Sequence, residues 1–364
     1  MKKKKLVSTC IMTTLIFTLT ACNQSRNKVT VPEPGKTITI IKEEKKEETD
    51  EEISVQKVER FGKVEITDWL NEDTVIVSKE NESLEKMSLA ELSDRYPESL
   101  YLLDINSKEY ELVKEEKDVL LEGAVFSQDK KYLLYAEYVL GDPAFFVMNL
   151  DKKDSDGFVE EQIEDARSAH WADNDTIIGS SYLGGAYMAD RTGNINLVND
   201  LSNESLYLVE KLSNVIYYNT QENLSLMKLN LDTKEKTNLN IEQVYGMLPS
   251  PDNKQMLILQ SNGSKDSMLV YDLESGEQVV IAEGYLVNGV SWSPDQRMVA
   301  YSMKEDDNNS TIRSLYVYDM LTGKSTKLAV NTEIISSNWS PSGKKLSYLE
   351  WDGKQYSSSI IYLQ

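Results

Sequence analysis

Gly289-Val290-Ser291-Trp292-Ser293-Pro294-Asp295-Gln296-Arg297-Met298-Val299-Ala300-Tyr301-Ser302 decides the fold, together with Ser314-Leu315-Tyr316-Val317-Tyr318-Asp319-Met320-Leu321-Thr322-Gly323-Lys324 downstream. Ser-Pro-Asp supplies turn chemistry: proline presets φ, and the Ser and Asp side chains bond nearby backbone. Met298, Ala300 and Ser302 alternate with Val299 and Tyr301, which is the periodicity of a strand. Thr322-Gly323 closes a hairpin between strands at Tyr316–Met320 and Ser325–Leu328. The unit is a four-stranded sheet that cannot bury both faces alone, so it has to repeat.

It does. Strand anchors recur at Trp69, Phe126, Trp171, Leu248, Trp292 and Trp339, with a weaker one at Leu212. Ser127-Gln128-Asp129, Ser250-Pro251-Asp252 and Ser340-Pro341-Ser342-Gly343 repeat the turn. An apolar strand ending in Asp or Asn recurs at Asp104, Asn149, Asp190, Asn230, Asp272 and Asp319, at spacings of 45, 41, 40, 42 and 47 residues. Four short strands at that period are the signature of a β-propeller blade. The last unit runs out of chain at Gln364 after three strands, and Ile53–Glu59, alternating apolar with polar, can supply the fourth. Closure of that kind removes an open sheet edge. The expected fold is all-β, a seven-bladed propeller over residues 53–364, with six blades as the alternative count if the weak unit at Leu212 merges with a neighbour.

The N-terminus reads differently. Lys2–Lys5 precede an apolar stretch, Leu6–Thr20, and Leu19-Thr20-Ala21-Cys22 ends it with small residues before a cysteine. This resembles a bacterial lipoprotein signal, which implies cleavage after Ala21 and a lipid on Cys22; an ordinary secretory peptide is the competing reading. Residues 1–21 are thus the signal peptide, and residues 22–52, polar and dense in charge, a disordered linker. Cys10 falls in the removed segment, so the mature chain keeps no pair of cysteines and no internal disulfide. Cleavage also takes four lysines, leaving 35 Lys and Arg against 60 Asp and Glu, a net charge of −25. That charge argues against nucleic acid as a partner and against docking flat on anionic lipid.

Trp-Ser-Pro-Asp at a strand start, with Tyr-Val-Tyr-Asp and a Gly turn about twenty-five residues later, resembles the repeats of the TolB-like (PD40, WD40-like) propellers. The match is strong over Ser291–Asp319 and Asn338–Tyr348, good over Leu248–Gly276 and partial earlier. The resemblance implies a funnel-shaped binding scaffold of the cell envelope and no particular activity.

The candidate sites are few. Tryptophan at one repeated position per unit reads as packing between sheets rather than as a carbohydrate platform, and the strand-ending Asp and Asn as turn-bonding groups. His170 is the sole histidine, and one imidazole cannot build the several-histidine metal site of the related oligogalacturonate lyases. No Gly-x-Ser-x-Gly elbow is present. Asp151–Gly157 matches a calcium loop poorly because Lys152 interrupts the acidic pattern, and Asp306-Asp307-Asn308-Asn309 reads as a polar loop. One insertion breaks the repeat: Asn81–Ser99 carries a capping box, Ser88 with Glu91, and Leu84, Met87, Leu92 and Tyr96 at near-helical intervals. Such insertions mark a binding face.

The sequence therefore points to an extracytoplasmic lipoprotein of a Gram-positive cell, monomeric and anchored to the membrane through Cys22. Its expected role is a non-catalytic binding scaffold for an envelope protein or exported ligand, not an enzyme, with no cofactor and no metal. Residues leading into the inner strands are the expected binding set: Arg167, His170, Tyr245, Asn288 and Asn338. Two other readings stand beside it: an envelope enzyme acting on polysaccharide or a lactone, and a sensory lipoprotein of a signalling system.

Overall fold

In a computed structural model, residues 28–33, 36–41, 53–141, 143–158, 166–305, 313–331, 333–351 and 353–364 are described. The expected signal peptide, Ala21, Cys22, the Lys/Glu run at 42–52 and the loop at 306–309 lie outside them. The chain divides into Met1–Glu52 and Ile53–Gln364. In the first unit, where the sequence reading expects a disordered linker, Lys28–Glu33 and Lys36–Ile41 pair antiparallel. Their Val, Thr and Ile alternation, in KVTVPE and KTITII, is the strand signal that the charge-based reading passed over.

The second unit is built from antiparallel four-strand meanders. Their innermost strands are Glu65–Trp69, Leu120–Phe126, Ala166–Trp171, Leu206–Leu212, Val244–Pro249, the second half of Gln278–Trp292, and Glu333–Trp339. Gln278–Trp292 is continuous: its first half is the outer strand of one meander and its second half opens the next. The last meander takes its fourth strand from the N-terminal side. Val55–Gly62 pairs with Tyr356–Leu363, setting Val58 opposite Ile361. That is the closure expected from the alternation in Ile53–Glu59.

The repeated motifs do what their chemistry suggests. Ser127, Ser250 and Ser293 each donate to the Asp two residues on, at 2.7, 2.8 and 2.6 Å, and accept the backbone N–H five residues on. The residue after each Asp takes positive φ (Lys130, Asn253, Gln296), and in the Ser340 turn this place falls to Gly343. At the far ends of the meanders, Asp104, Asn149, Asp190, Asn230, Asp272 and Asp319 accept turn N–H groups. Those N–H bonds hold the Asp104 and Asp272 carboxyls below the ordinary carboxylate range.

The indole N–H of Trp69, Trp171, Trp292 and Trp339 donates to an inner-strand carbonyl of the preceding meander: Asn338, Val125, Leu248 and Ser291, at 3.0–3.3 Å. The tryptophans therefore lock sheet to sheet, and Trp69 joins the first meander to the last. Bonds between starts (Arg167 to the Leu206 carbonyl) and between ends (His170 to Glu210) show neighbouring inner strands running the same way. Their first residues mark a leading face and their last residues a trailing face. Turns between second and third strands also fall on the leading face. The insertion lies there, but as a loop: only Ala90–Leu92 forms a 3-10 turn, with no side-chain cap. The expected capping box fails because the Ser88 N–H bonds Asp118 at 2.6 Å and Met87 is drawn into the core.

Candidate functional site

The five residues expected to form the site do not converge. Arg167, Tyr245 and Asn288 sit toward the leading ends of their strands, whereas His170 and Asn338 directly precede the trailing tryptophans. Each is engaged in joining strands. Arg167 donates to the Leu206 carbonyl at 3.0 Å and lies over the rings of Tyr182 and Tyr207. The Tyr245 hydroxyl donates to the Val287 carbonyl at 2.8 Å, and burial lifts its pKa above the ordinary phenol value. Asn288 accepts from Ser302, and the Asn338 carbonyl receives Trp69. His170 contacts Glu210 at 2.9 Å; burial opposes its charge, but the carboxylate holds its pKa above the usual imidazole value.

A different group gathers on the leading face. Lys63, Glu65, Ser78, Arg95, Glu98 and Tyr356, among others, line a cavity of about 470 Å³. The sequence places them there for local reasons. Glu65 opens the innermost strand of the first meander, opposite Ser78 on the next strand. The insertion delivers Arg95 and Glu98, and the turn after Lys345–Trp351 delivers Tyr356. Trp351 and Tyr356 form a tilted aromatic pair, 4.7 Å between centroids, on the same wall. Behind them, a bulge with Gly123 at φ 62° breaks the register after Glu122, which lies on the inner strand of the second meander. Bulges of this kind re-aim side chains near sites.

The electrostatics of these half-buried glutamates are unusual. Burial, with the negative charges of Glu122 and Glu98, pushes the Glu65 carboxyl up to about 7. Burial and Glu98 do the same for Glu122, also to about 7, against the opposing Arg95 charge. Burial raises Glu98 too, although Arg95 meets it at 2.6 Å. Ser78 Oγ lies 3.0 Å from Glu98 Oε2 and 2.5 Å from the Leu121 carbonyl. The cavity thus holds one carboxyl, Glu65, that exchanges its proton near neutrality, with Glu122 coupled to it, beside Lys63, Arg95, Lys354 and two aromatic rings. Such groups suit acid–base chemistry or recognition of a charged ligand.

The sequence reading missed Glu65, Glu98 and Glu122. The rule that selected Arg167 and Tyr245, proximity to the start of an inner strand, also selects Glu65 and Glu122 when applied to the first two meanders. Among the described residues no group of three or more His, Cys, Asp or Glu is placed to hold a metal ion.

No family model and no curated protein matches the chain. Solved structures do. An oligogalacturonate lyase in complex with manganese superposes with a TM-score of 0.62 at 11% identity, covering 86% of this chain and 98% of that one. The β-propeller domain of Myceliophteria thermophila Cps50 (Swd1) gives 0.59 at 10% identity, covering 86% and 100%. TolB from Acinetobacter baumannii gives 0.47 at 13% identity, covering 80% and 65%. The fold is a β-propeller. At these identities the likeness carries the fold and no activity. It also corrects one expectation: a lyase has this same fold, so the reading that the chain is not an enzyme does not stand. That reading rested on the lone histidine, and the carboxyls around Glu65 were outside its view.

Proposed function

We propose that the chain is a seven-bladed cell-envelope propeller, held at the membrane by a lipid on Cys22, that binds an envelope protein or exported ligand on its leading face. One observation carries this reading. Large apolar side chains are exposed on that face of several meanders: Leu140 at 56% and Leu183 at 69% exposure, with Tyr182, in turns, and Leu286 and Tyr356 at the leading parts of strands. Tyr356 also lines the Glu65 cavity, and the insertion lies on the same face. Exposed apolar side chains on the face that also carries a polar cavity are the usual composition of a binding surface. The signal-like N-terminus supports the anchor and the extracytoplasmic location.

Crosslinking in cells tests the reading. Leu140→Glu combined with Leu183→Glu is expected to reduce capture of the bound partner by roughly tenfold or more, the loss of one strong contact. Leu321→Glu, on a turn of the trailing face, is expected to leave capture unchanged, and Cys22→Ala to abolish it. Equal capture by the two leucine sets would sink the assignment of the face.

The Glu65 and Glu122 carboxyls favour a second reading, acid–base turnover of the bound ligand, because both are poised to exchange a proton near neutral pH. Product release from a polysaccharide or lactone, lost in Glu65→Gln, is the expected result under this reading. Binding of such a compound without any product rules it out.

A further inference from the structure

The odd group in the leading-face cavity is Glu65. Among the described residues no hydrogen-bond donor meets its carboxyl, which is mostly buried and lines the cavity. Its electrostatic neighbours of note are Glu98 and Glu122, both of its own sign. Lys63 and Lys354 also line the cavity, but no cation is among the charges that act on the Glu65 carboxyl. Arg95 is held by Glu98 at 2.6 Å and Glu80 at 3.9 Å. The Lys79 ammonium lies over the rings of Tyr101 and Tyr110, at 5.5 and 5.2 Å. A desolvated carboxylate without a donor is unfavourable, and like charges around it add to the penalty. A cation placed in the cavity removes both penalties at once, and the Trp351–Tyr356 pair on the wall offers it π faces.

We propose that this cavity takes a positively charged nitrogen, an ammonium or guanidinium group of a ligand, which pairs with Glu65 and is flanked by Trp351 and Tyr356. The inference rests on the leading-face reading above and names the ligand chemistry of that face. An anionic ligand fits less well, because it would compete with Glu98 for Arg95 and face three carboxyls. The negative charge of the whole chain favours approach of a cation. The charged nitrogen belongs either to a free polyamine or to a Lys or Arg side chain of a protein partner.

The full chain, purified in detergent, is titrated at pH 8 with spermidine, with a Lys- and Arg-containing peptide, with maltose and with manganese chloride, following tryptophan fluorescence and calorimetric heat. Saturable binding of spermidine or the peptide is expected, weakened at least tenfold in Glu65→Gln and with its fluorescence change lost in Trp351→Phe. Binding of spermidine identifies a free amine as sufficient, and binding of the peptide alone identifies a protein side chain as the source. Glu65→Gln retains shape and removes charge, and its unfolding curve checks that the fold survives. Binding of manganese or maltose with neither amine probe overturns the proposal, as does amine binding unaffected by Glu65→Gln. The leucine variants keep the two readings apart: partner capture that still depends on Leu140 and Leu183 while the amines fail leaves the face standing and removes the cation.

Discussion

Deleting residues 54–62 is expected to abolish cooperative folding, and moving the same nine residues to the C-terminus is expected to restore it. The deleted segment contains the outer strand of the last meander, Val55–Gly62, and its loss leaves Tyr356–Leu363 as an open edge with Ile360 and Ile361, both fully buried, losing their cover. Phe61 goes too; it is 7% exposed and packs with Val64, Trp69 and Ile360 in the core that joins the last meander to the first. Removing one buried Phe side chain alone costs about 3–5 kcal/mol. A domain has only about 5–15 kcal/mol to lose, and the ladder of this strand is lost as well. The rescue follows from geometry. Ser54 and Gln364 exchange backbone hydrogen bonds at 3.0 and 3.2 Å, so the end of one strand lies beside the start of the other. Residues 54–62 appended after Gln364 through an Asn-Gly turn can therefore form a hairpin in the native register. Circular dichroism melts of the two chains decide the matter. A deleted chain that still melts sharply would mean that the strand decorates the ring rather than closing it.

That closure was legible in the sequence because it depends on a local alternation, apolar at Ile53, Val55 and Val58, and on counting strands. The turns were legible for the same reason: Ser293, Pro294 and Asp295 act within five residues of each other. The insertion was misread because its pattern is local and its fate is not. Ser88 finds Asp118 thirty residues away, and that bond takes the N–H that a helix start would have used. The candidate site was the least legible part. Glu65, Glu98 and Glu122 are separated by whole strands, each an ordinary polar residue near a strand start, and only the ring brings them together. Nothing in the local sequence of any one of them signals a carboxyl pushed toward neutrality. His170 shows the reverse case: a residue conspicuous by being single, which the fold engages by pairing it with Glu210 between two inner strands.

Stability is expected to fall as pH rises from 5 to 8, and Glu65→Gln is expected to remove much of that fall. The folded-state carboxyl of Glu65 is lifted from an ordinary 4.5 to about 7, chiefly by burial. Between those values the folded chain keeps a proton that the unfolded chain releases. The contribution to stability is therefore present below pH 4.5, is lost as pH rises through the window, and stays lost above 7. A lone group with this shift changes stability by about 3 kcal/mol, at 1.36 kcal/mol per pH unit of displacement. Glu98 and Glu122 titrate with it, so the set behaves as a coupled system and the Gln variant also eases its neighbours. His170, raised above its ordinary value by Glu210, adds a slope of the same sign. For that reason the informative quantity is the difference between variant and parent. Urea unfolding at pH 5 and pH 8 should show near-equal stability at the lower pH and a variant more stable by about 2–3 kcal/mol at the higher. A variant equal to or weaker than the parent at pH 8 would show that the Glu65 carboxylate already has a partner. The same penalty links stability to the cavity's chemistry: an ionised, unpaired Glu65 weakens the empty fold, and a bound cation recovers that loss. Ligand-dependent stabilisation should therefore be larger at pH 8 than at pH 5 and strongly reduced in Glu65→Gln.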